Sequence, residues 1–213
     1  MLEKAKEAGE VVSKQTLQDH GRSAKLFSGL EGGAWFTRIN QFASQLGLEL
    51  QHYIVSSGIE EMIRGCPIQS EFRKIYASKY IYDGDVAAWP GVAINYTTKT
   101  QYLFRINKGV ENHWNNVDIN RYMSEVSRPI PFERMIFLGD GDTDIPTMKM
   151  LTYQGGHSIA VYDEARGSHD LDKIHRLIAD GRVDFLAPAN YAEHSQLEII
   201  VKGILGRIAR AVG

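Results

Sequence analysis

The chain has 213 residues, 43% of them hydrophobic, and a formal net charge of −2 at pH 7, which is the size and composition of one ordinary domain with a substantial core. Acidic and basic residues are interspersed, so the chain lacks the basic stripe that binds nucleic acid. The single cysteine, Cys66, cannot form an internal disulfide, the charged N-terminus is unlike a secretory signal, and no apolar run reaches the roughly 20 residues of a membrane helix. We therefore expect a cytoplasmic protein without nucleic-acid or membrane partners.

Residues 1–31 are polar and prone to helix formation, with few apolar residues to bury and an interruption at Gly21. We interpret them as a helical lead-in to a core domain of residues 32–213. At the start of this domain, apolar side chains recur at helical spacing and end at a glycine, which predicts a helix. Residues 48–55, LELQHYIV, have the pattern of a strand, and residues 56–65 predict a turn and a short helix.

β-Hairpins are predicted over residues 75–106, which are rich in Tyr, Ile, Val and Thr and contain Asp-Gly and Pro-Gly turns. After this region, predicted helices and strands alternate. The helices cover about 110–126, 145–151, 171–179 and a C-terminal amphipathic segment, and the strands cover 134–139, 158–162 and 183–187. Such alternation is typical of an α/β fold whose parallel sheet is covered by helices on both sides. Ligands of these folds bind at the carboxyl ends of strands.

One predicted strand, MIFLG, is followed by three aspartates at alternate positions, Asp140, Asp142 and Asp144. Neighbouring carboxylates repel one another unless a cation lies between them. One interpretation is a calcium loop of the EF-hand type. However, Ile145 takes the position of the turn glycine and Leu151 takes that of the bidentate glutamate, so the sequence argues against calcium.

A second interpretation of the acidic loop is local helix capping, with Asp144 as the N-cap of a helix that has Pro146 in its first turn. Capping accounts for one acid of the three. A third interpretation is a Mg²⁺ site, since Mg²⁺ usually takes one or two carboxylates and completes its octahedron with waters and phosphate. Asp140 and Asp144 lie four residues apart on a strand-to-helix turn, so both carboxylates can face one ion.

The sequence GDGDTD over residues 139–144 resembles the fourth motif, G-D-G-x-x-D, of the haloacid dehalogenase superfamily of hydrolases, and in particular of its phosphoserine-phosphatase-like members. Ser56, or else Ser57, follows an apolar strand as the second motif of that superfamily does. Lys108 resembles the lysine of the third motif, at the start of a predicted helix. The resemblance covers residues 32–210 and implies a Rossmann-like parallel sheet flanked by helices, with a β-hairpin insertion.

The resemblance implies a Mg²⁺-dependent phosphatase of small phosphorylated metabolites. Asp140 would bind the ion, and Asp144 would bind it as well or orient its waters, whereas Asp142 occupies a variable position of the motif. Ser56 would hydrogen-bond the transferring phosphoryl group and Lys108 would balance its charge. The implied catalytic residues are Ser56, Lys108 and Asp144, and the implied substrate-binding residues are Ser56, Ser57, Gly58 and Lys108.

The first motif of the superfamily, D-x-D-x-T or D-x-D-x-V after an early strand, has no counterpart in this chain. Upstream of Ser56 there is one aspartate, Asp19, and no apolar strand precedes it. Asp83 and Asp85 follow apolar residues, but Ala87 occupies the Thr or Val position and the Asp-Gly pair indicates a turn. The nucleophilic aspartate of the superfamily is therefore missing.

The strand that carries the first motif is central in the superfamily's sheet, so the resemblance implies that this chain lacks its usual first central strand. We expect no phosphatase turnover from the chain alone. It is either a truncated phosphatase whose lead-in is a cap remnant, or a non-catalytic phosphate- or protein-binding module on the same fold. Sheet edges exposed by the missing strand would favour self-association.

Overall fold

The computed structural model describes residues 2–166 and 175–212, and the strands within these ranges form two three-stranded sheets. The strands are β1 (Tyr53–Ile59), β2 (Lys74–Asp83), β3 (Val86–Val92), β4 (Ile136–Gly139), β5 (His157–Tyr162) and β6 (Phe185–Pro188). In the first sheet, β2 lies between β1, to which it is parallel, and β3, to which it is antiparallel. In the second sheet, β5 lies between β4 and β6 and all three strands are parallel.

Helices flank both sheets. They are α1 (Leu2–Glu7), α2 (Lys14–Arg22), α3 (Ala34–Gln45), α4 (Glu60–Gly65), α5 (Lys99–Lys108), α6 (Asn116–Asn120), α7 (Ile145–Tyr153) and α8 (Gln196–Val212). Parallel strands flanked by helices confirm the predicted α/β architecture. Within the described ranges, no helix is both long enough and apolar enough to cross a membrane.

The second half of the chain follows the predicted alternation closely. The three strands predicted there correspond to β4, β5 and β6, and the helices predicted after the acidic loop and at the C-terminus correspond to α7 and α8. The predicted helix over 171–179 lies partly outside the described residues, and its described part, 175–179, is helical. Long, strongly periodic segments of this kind are the most predictable from sequence.

The middle of the chain differs from the prediction. The predicted hairpin is confirmed for β2 and β3, but the segment that follows β3 forms α5 instead of continuing as strand. Tyr102, Leu103 and Ile106 are buried on one face of this helix. Burial of that face outweighs the β propensity of the Tyr and Thr residues, which depends strongly on tertiary context.

The predicted helix over about 110–126 is wrong, because this stretch contains the short α6 and a single 3₁₀ turn, Glu125–Ser127. The Arg105 guanidinium of α5 donates hydrogen bonds to three backbone carbonyls of the loop 112–115. The loop is rich in asparagine, whose side chain favours turns and helix caps over helix interiors. A long helix would need those backbone carbonyls for its own hydrogen bonds.

Gly21 does not interrupt the lead-in but is buried within α2, whose first turn is closed by a capping box at Ser13. The two helices α2 and α4 pack backbone to backbone at glycines. A Cβ atom added to Gly21 would lie 1.9 Å from the Met62 carbonyl oxygen, and one added to Gly65 would lie 2.0 Å from the carbonyl oxygen of Gln18. The lead-in is therefore docked on the helix that follows β1.

Two main hydrophobic clusters form the core. The larger lies between α3, α8 and one face of the second sheet, and its fully buried members include Trp35, Phe36, Ile39, Ala43, Ile159, Leu197, Ile204 and Leu205. The second lies beneath α5 and includes Tyr76, Tyr102, Leu103, Ile106, Phe132 and Leu151. These clusters place α3 and α8 on one side of the strands and α5 on the other.

A buried carboxylate joins α8 to α3. Glu198 is 1% exposed, and its carboxylate accepts hydrogen bonds from the His194 backbone N–H and from Nε of Arg38, at 3.1 Å in the latter case. The ammonium of Lys202 lies 3.3 Å away. Burial by itself raises the pKa of the Glu198 carboxyl, but the His194 hydrogen bond and the two cations together hold that pKa below its ordinary value.

We expect Glu198→Gln to flatten the acid limb of the stability profile. A carboxyl whose pKa is lowered on folding contributes stability above its unfolded pKa, about 4.3, and loses that contribution as the pH falls through the folded pKa. The variant should be less stable than the wild type at pH 7 by about 1.5 kcal/mol and should lose less stability between pH 5 and pH 3. Urea unfolding at each pH measures both effects.

The exposed Glu125 provides the matched control. Glu125→Gln should follow the wild-type profile at every pH, because its carboxyl is solvated in both states. Parallel acid limbs for the wild type and Glu198→Gln would show that the buried carboxylate does not contribute to acid sensitivity.

Candidate functional site

In the acidic loop at the carboxyl end of β4, the Asp144 side chain folds back onto the backbone of Asp140. Asp140 is exposed immediately after the strand, whereas Asp144 is 5% exposed. Oδ2 of Asp144 accepts a hydrogen bond from the Asp140 backbone N–H at 3.2 Å. A Cβ added to Gly139 would lie 2.7 Å from the Cβ of Asp144, so the glycine that ends β4 is needed for the carboxylate to fold back onto the strand end.

The buried acid of this loop, Asp144, pairs with a cation, Lys99. Its Nζ lies 2.6 Å from Oδ1 of Asp144 and 3.4 Å from Oγ1 of Thr143, and the lysine is itself 5% exposed. A buried carboxylate requires both a counter-charge and hydrogen bonds, and Asp144 has both. Asp144 is the N-cap residue of α7, as predicted, but its side chain makes no capping hydrogen bond and contacts Lys99 instead.

The start of α5 positions Lys99. The side-chain oxygen of Asn95 accepts hydrogen bonds from the backbone N–H groups of Thr97 and Thr98, both at 3.0 Å, and the Lys99 N–H donates to the Asn95 carbonyl. This turn places a lysine in the first turn of the helix, where the helix dipole disfavours a positive charge. The contact with Asp144 offsets that cost. Lys99 therefore stabilises the acidic loop and does not stabilise the helix that it begins.

Ser56 and Ser57 lie in the second half of β1, and contacts connect this end of β1 to the start of α5. The Ser57 carbonyl accepts a hydrogen bond from Oγ of Ser78 at 3.1 Å, and the same Oγ accepts from the Ile94 N–H at 3.0 Å. Ile94 directly precedes the turn that leads to Lys99. Hydrogen bonds therefore link the Ser57 end of β1 to the segment that leads into α5, whose first residue, Lys99, contacts the acidic loop.

Ser56 is partly buried, and its Oγ accepts a hydrogen bond from the Gly58 N–H at 3.0 Å. Because Oγ acts as an acceptor in this contact, its hydroxyl proton can be donated to a ligand. Ser57 and Gly58 are exposed beside it. This short segment can therefore offer a hydroxyl and backbone groups to a bound anion.

Lys108 lies away from Lys99 and the acidic loop. It is the last residue of α5, nine residues after Lys99, which separates the two Cα atoms by roughly 13 Å along the helix. Its Nζ donates to the backbone carbonyls of Ile119 and Arg121, at 2.7 and 2.8 Å. The expectation that Lys108 begins a helix is wrong: Lys108 ends α5, and the lysine that begins this helix is Lys99.

Sequence reasoning missed Lys99 because the region around it was interpreted as β-hairpin. Two signals were present. Asn95 is followed by Thr97 and Thr98 in a pattern typical of a helix N-terminus, and Tyr102 and Ile106 lie four residues apart, as on one helix face.

Tyr191 follows β6 and lies near the acidic loop. Burial, with a further contribution from the negative charge of Asp140, raises the pKa of Tyr191 to about 12. Its ring packs edge-on against Trp35 with centroids 5.1 Å apart, and its carbonyl accepts a hydrogen bond from Arg38 at 2.7 Å. A neutral tyrosine, held by Trp35 and Arg38, therefore lies within electrostatic range of Asp140.

The side chains of the acidic loop could hold Mg²⁺ with few protein ligands. In the part of the chain that the structure describes, no three His, Cys, Asp or Glu side chains converge on a metal-sized space. Both oxygens of Asp144 already contact hydrogen-bond donors, while Asp140 is exposed. Since Mg²⁺ commonly takes one or two carboxylates and keeps several waters, these residues fit an ion held by Asp140, with Asp144 orienting the loop. Asp142 is exposed in the same turn.

The chain is similar in sequence to an uncharacterised protein. This protein, from Borreliella burgdorferi, is 27% identical to the chain in an alignment 210 residues long that covers 88% of this chain and 69% of the relative. No family model matches the chain, and no solved structure matches it.

Proposed function

We propose that this chain carries the phosphate- and Mg²⁺-binding part of a phosphohydrolase site of the haloacid dehalogenase type, specific for small phosphate monoesters. The observation that carries the proposal is the buried contact between Lys99 and Asp144 at the carboxyl end of β4, beside the exposed Asp140. In sequence, Lys99 precedes the acidic strand end, as the lysine of the third motif precedes the fourth motif in the superfamily that the chain resembles. Lys99 takes the role predicted for Lys108.

The roles follow from the chemistry of phosphoryl transfer, which depends on positioning and on neutralising the charge of the phosphoryl oxygens. The Lys99 ammonium is held by Asp144 with further N–H bonds available to an anion. Ser56 donates its hydroxyl from the neighbouring strand end, and the exposed Ser57 and Gly58 provide backbone groups. Mg²⁺, when bound by Asp140, would add positive charge beside the phosphate.

The two aspartates weighed above as nucleophiles both lie on other elements of the described structure. Asp83 ends β2 and pairs with Val86 across the hairpin turn, and it is exposed. Asp19 lies on the surface of α2, where it accepts a hydrogen bond from Gln15. We therefore propose that this chain binds phosphate without turning over a phosphate monoester, and that the nucleophile belongs to a longer form of the protein.

Binding of Mg²⁺ and inorganic phosphate tests the proposal. We expect the two together to raise the melting temperature, since a ligand at ten times its Kd adds about 1.4 kcal/mol of stability. Asp140→Asn and Ser56→Ala should each remove the shift. Asp142→Asn is the matched control in the same loop and should retain it.

Turnover is assayed separately with p-nitrophenyl phosphate and Mg²⁺. We expect no hydrolysis above background. Hydrolysis that depends on Mg²⁺ and survives Asp83→Asn would reveal a nucleophile elsewhere in the chain and contradict the proposed inactivity. Absence of any phosphate-dependent shift, with or without Mg²⁺, would contradict the proposed site.

The second candidate is a non-catalytic phosphate- or protein-binding module on the same fold, and the absence of a D-x-D-x-T or D-x-D-x-V motif from the sequence favours it. The two candidates differ in their response to metal. A phosphate-dependent shift that is equal in Mg²⁺ and in EDTA supports the binding module, because Lys99 and Ser56 would then be sufficient for the anion.

A further inference from the structure

A cavity of about 380 Å³ lies between α5 and α6. Each helix lines it with one face, because the lining residues are spaced three or four positions apart along each helix. They include Phe104, Arg105 and Lys108 of α5 and Asn116, Ile119 and Asn120 of α6. The volume is that of a site for a small organic ligand, and the described residues that line it include two cations and no acid.

Arg105 holds a buried positive charge in the wall of this cavity. The residue is 4% exposed, and its guanidinium donates hydrogen bonds to the backbone carbonyls of Asn112, His113 and Asn115. Its Nε is buried and has no hydrogen-bond partner among the described residues. Buried charges are normally paired with an opposite charge, whereas the three carbonyl oxygens carry only partial charges.

Lys108 adds a second positive charge to the same wall. Its ammonium donates hydrogen bonds to the backbone carbonyls of Ile119 and Arg121, at 2.7 and 2.8 Å. An ammonium has three N–H groups, so one of them is left for a further acceptor. The two carbonyls fix the position of the ammonium, which lowers the entropy that a ligand must remove when it binds.

The acids that follow these cations most closely in sequence are engaged elsewhere. Glu111 pairs with Arg73 at 2.7 Å, and the Asp118 carboxylate lies 3.6 Å from the guanidinium of Arg121. The last turn of α5 is a favourable place for cations, because the negative end of the helix dipole lies there. The dipole and the carbonyls account for where the two cations lie, but neither supplies the full negative charge that would balance them.

The other side chains of the lining are apolar or neutral. Phe104 is 39% exposed, and its ring packs edge-on against Phe132 with centroids 5.1 Å apart. Its remaining surface, together with Ile119, can contact an apolar group. The amides of Asn116 and Asn120 can donate or accept hydrogen bonds. The cavity therefore combines uncompensated positive charge with an apolar surface.

We propose that this cavity is a second ligand site, which binds a small organic carboxylate. The carboxylate accepts a hydrogen bond from the Lys108 ammonium, and the apolar body of the ligand lies against Phe104 and Ile119. The charge of Arg105 strengthens the attraction, because charges that are shielded from water are little screened by salt. Inorganic phosphate is a poorer fit, since its several acceptor oxygens need more donors than one free N–H provides. The site requires neither Mg²⁺ nor Asp140.

An NMR titration with sodium benzoate in the presence of EDTA tests the proposal. Benzoate combines a carboxylate with a planar apolar body, and we expect a Kd of about 1 mM, as is usual for a ligand of this size. The amide resonances of residues 104–108 and 116–120 should shift together. Benzyl alcohol, the neutral analogue, should bind at least tenfold more weakly, because it lacks the charge that the two cations attract.

Two variants of α6 locate the binding. Asn116→Asp adds a negative charge at an exposed position of the cavity lining with little change in shape, and should raise the Kd for benzoate at least tenfold. Val117→Asp is the matched control, because it adds the same charge at an exposed neighbouring position outside the lining, and should change the Kd less than threefold. Lys108→Gln should weaken binding as Asn116→Asp does. Asn116→Asp remains decisive if Lys108→Gln fails to fold.

The result is independent of the proposed phosphate site, because Asp140→Asn and Ser56→Ala should bind benzoate as the wild type does. Absence of amide shifts at tens of millimolar benzoate would overturn the proposal. So would equal affinities for benzoate and benzyl alcohol, or a Kd that Asn116→Asp leaves unchanged. Inorganic phosphate that shifts the same amides in Asp140→Asn with the affinity of benzoate would contradict the assignment of the ligand as a carboxylate with an apolar body.

Discussion

Replacing Lys99 with methionine is expected to destabilise the protein by about 3–5 kcal/mol, because the substitution leaves the Asp144 carboxylate buried without its cation. The two side chains are almost completely shielded from water and lie 2.6 Å apart. Methionine has a similar volume, so the loss reports the charge and not a cavity. Urea unfolding monitored by circular dichroism at pH 7 measures the change in free energy of unfolding.

Two further variants make this prediction specific. Lys108→Met removes two hydrogen bonds to backbone carbonyls at the other end of α5 and should cost about 1–2 kcal/mol. The double variant Lys99→Met/Asp144→Leu should recover most of the loss, because an apolar pair in place of a buried ion pair is often tolerated. The prediction is contradicted if Lys99→Met is as stable as the wild type. It is also contradicted if the double variant loses more free energy of unfolding than the two single variants lose together.

Gly21→Ala is expected to destabilise the protein by about 1–3 kcal/mol and to detach the lead-in from α4. The new methyl group would lie 1.9 Å from the backbone oxygen of Met62, and neither helix can relieve a clash between backbones by a change of rotamer. Alanine is otherwise a better helix former than glycine, so propensity alone predicts the opposite sign. Hydrogen exchange should rise in residues 14–22 before it rises in α8.

Gly203 provides the matched control for this substitution. It lies inside α8, and a Cβ added there would meet no atom within 4 Å. Gly203→Ala should therefore stabilise the protein by about 0.5–1 kcal/mol through helix propensity and the reduced entropy of the unfolded chain. Equal effects of the two substitutions would mean that α2 and α4 do not pack at their glycines in solution.

The contact between Lys99 and Asp144 links stability to the proposed site. A lysine in the first turn of a helix and a carboxylate buried at a strand end are each unfavourable alone, and the chain places them against each other. Strained or costly arrangements of this kind are characteristic of functional sites, where local rules are broken for the sake of chemistry. For this reason phosphate binding should be tested with Ser56→Ala and Asp140→Asn, which leave the pair intact.

The loop after β4 and the elements around it could be predicted from the sequence, because the information is local. An apolar run ending at Gly139 specifies a strand and its end, the acids follow immediately, and Pro146 is placed as in a first helical turn. The same holds for α8, whose apolar residues repeat at helical spacing over several turns. Asp140 and Asp144 could be selected as a pair on spacing alone, since both belong to one turn.

Other features depended on contacts between distant residues. Lys99 and Asp144 are 45 positions apart, and the segment that begins with the lysine has a local β propensity that burial of one face of α5 overrides. Gly21 was interpreted as an interruption of the helix, because the sequence does not reveal that the Met62 carbonyl occupies the space beside this glycine. The division of the strands into two sheets follows from which strand edges pair in space. The sequence by itself therefore determined the acidic strand end and its neighbouring helices, whereas tertiary structure decided which cation pairs with Asp144 and how the strands divide into two sheets, because packing and strand pairing join residues that local spacing does not connect.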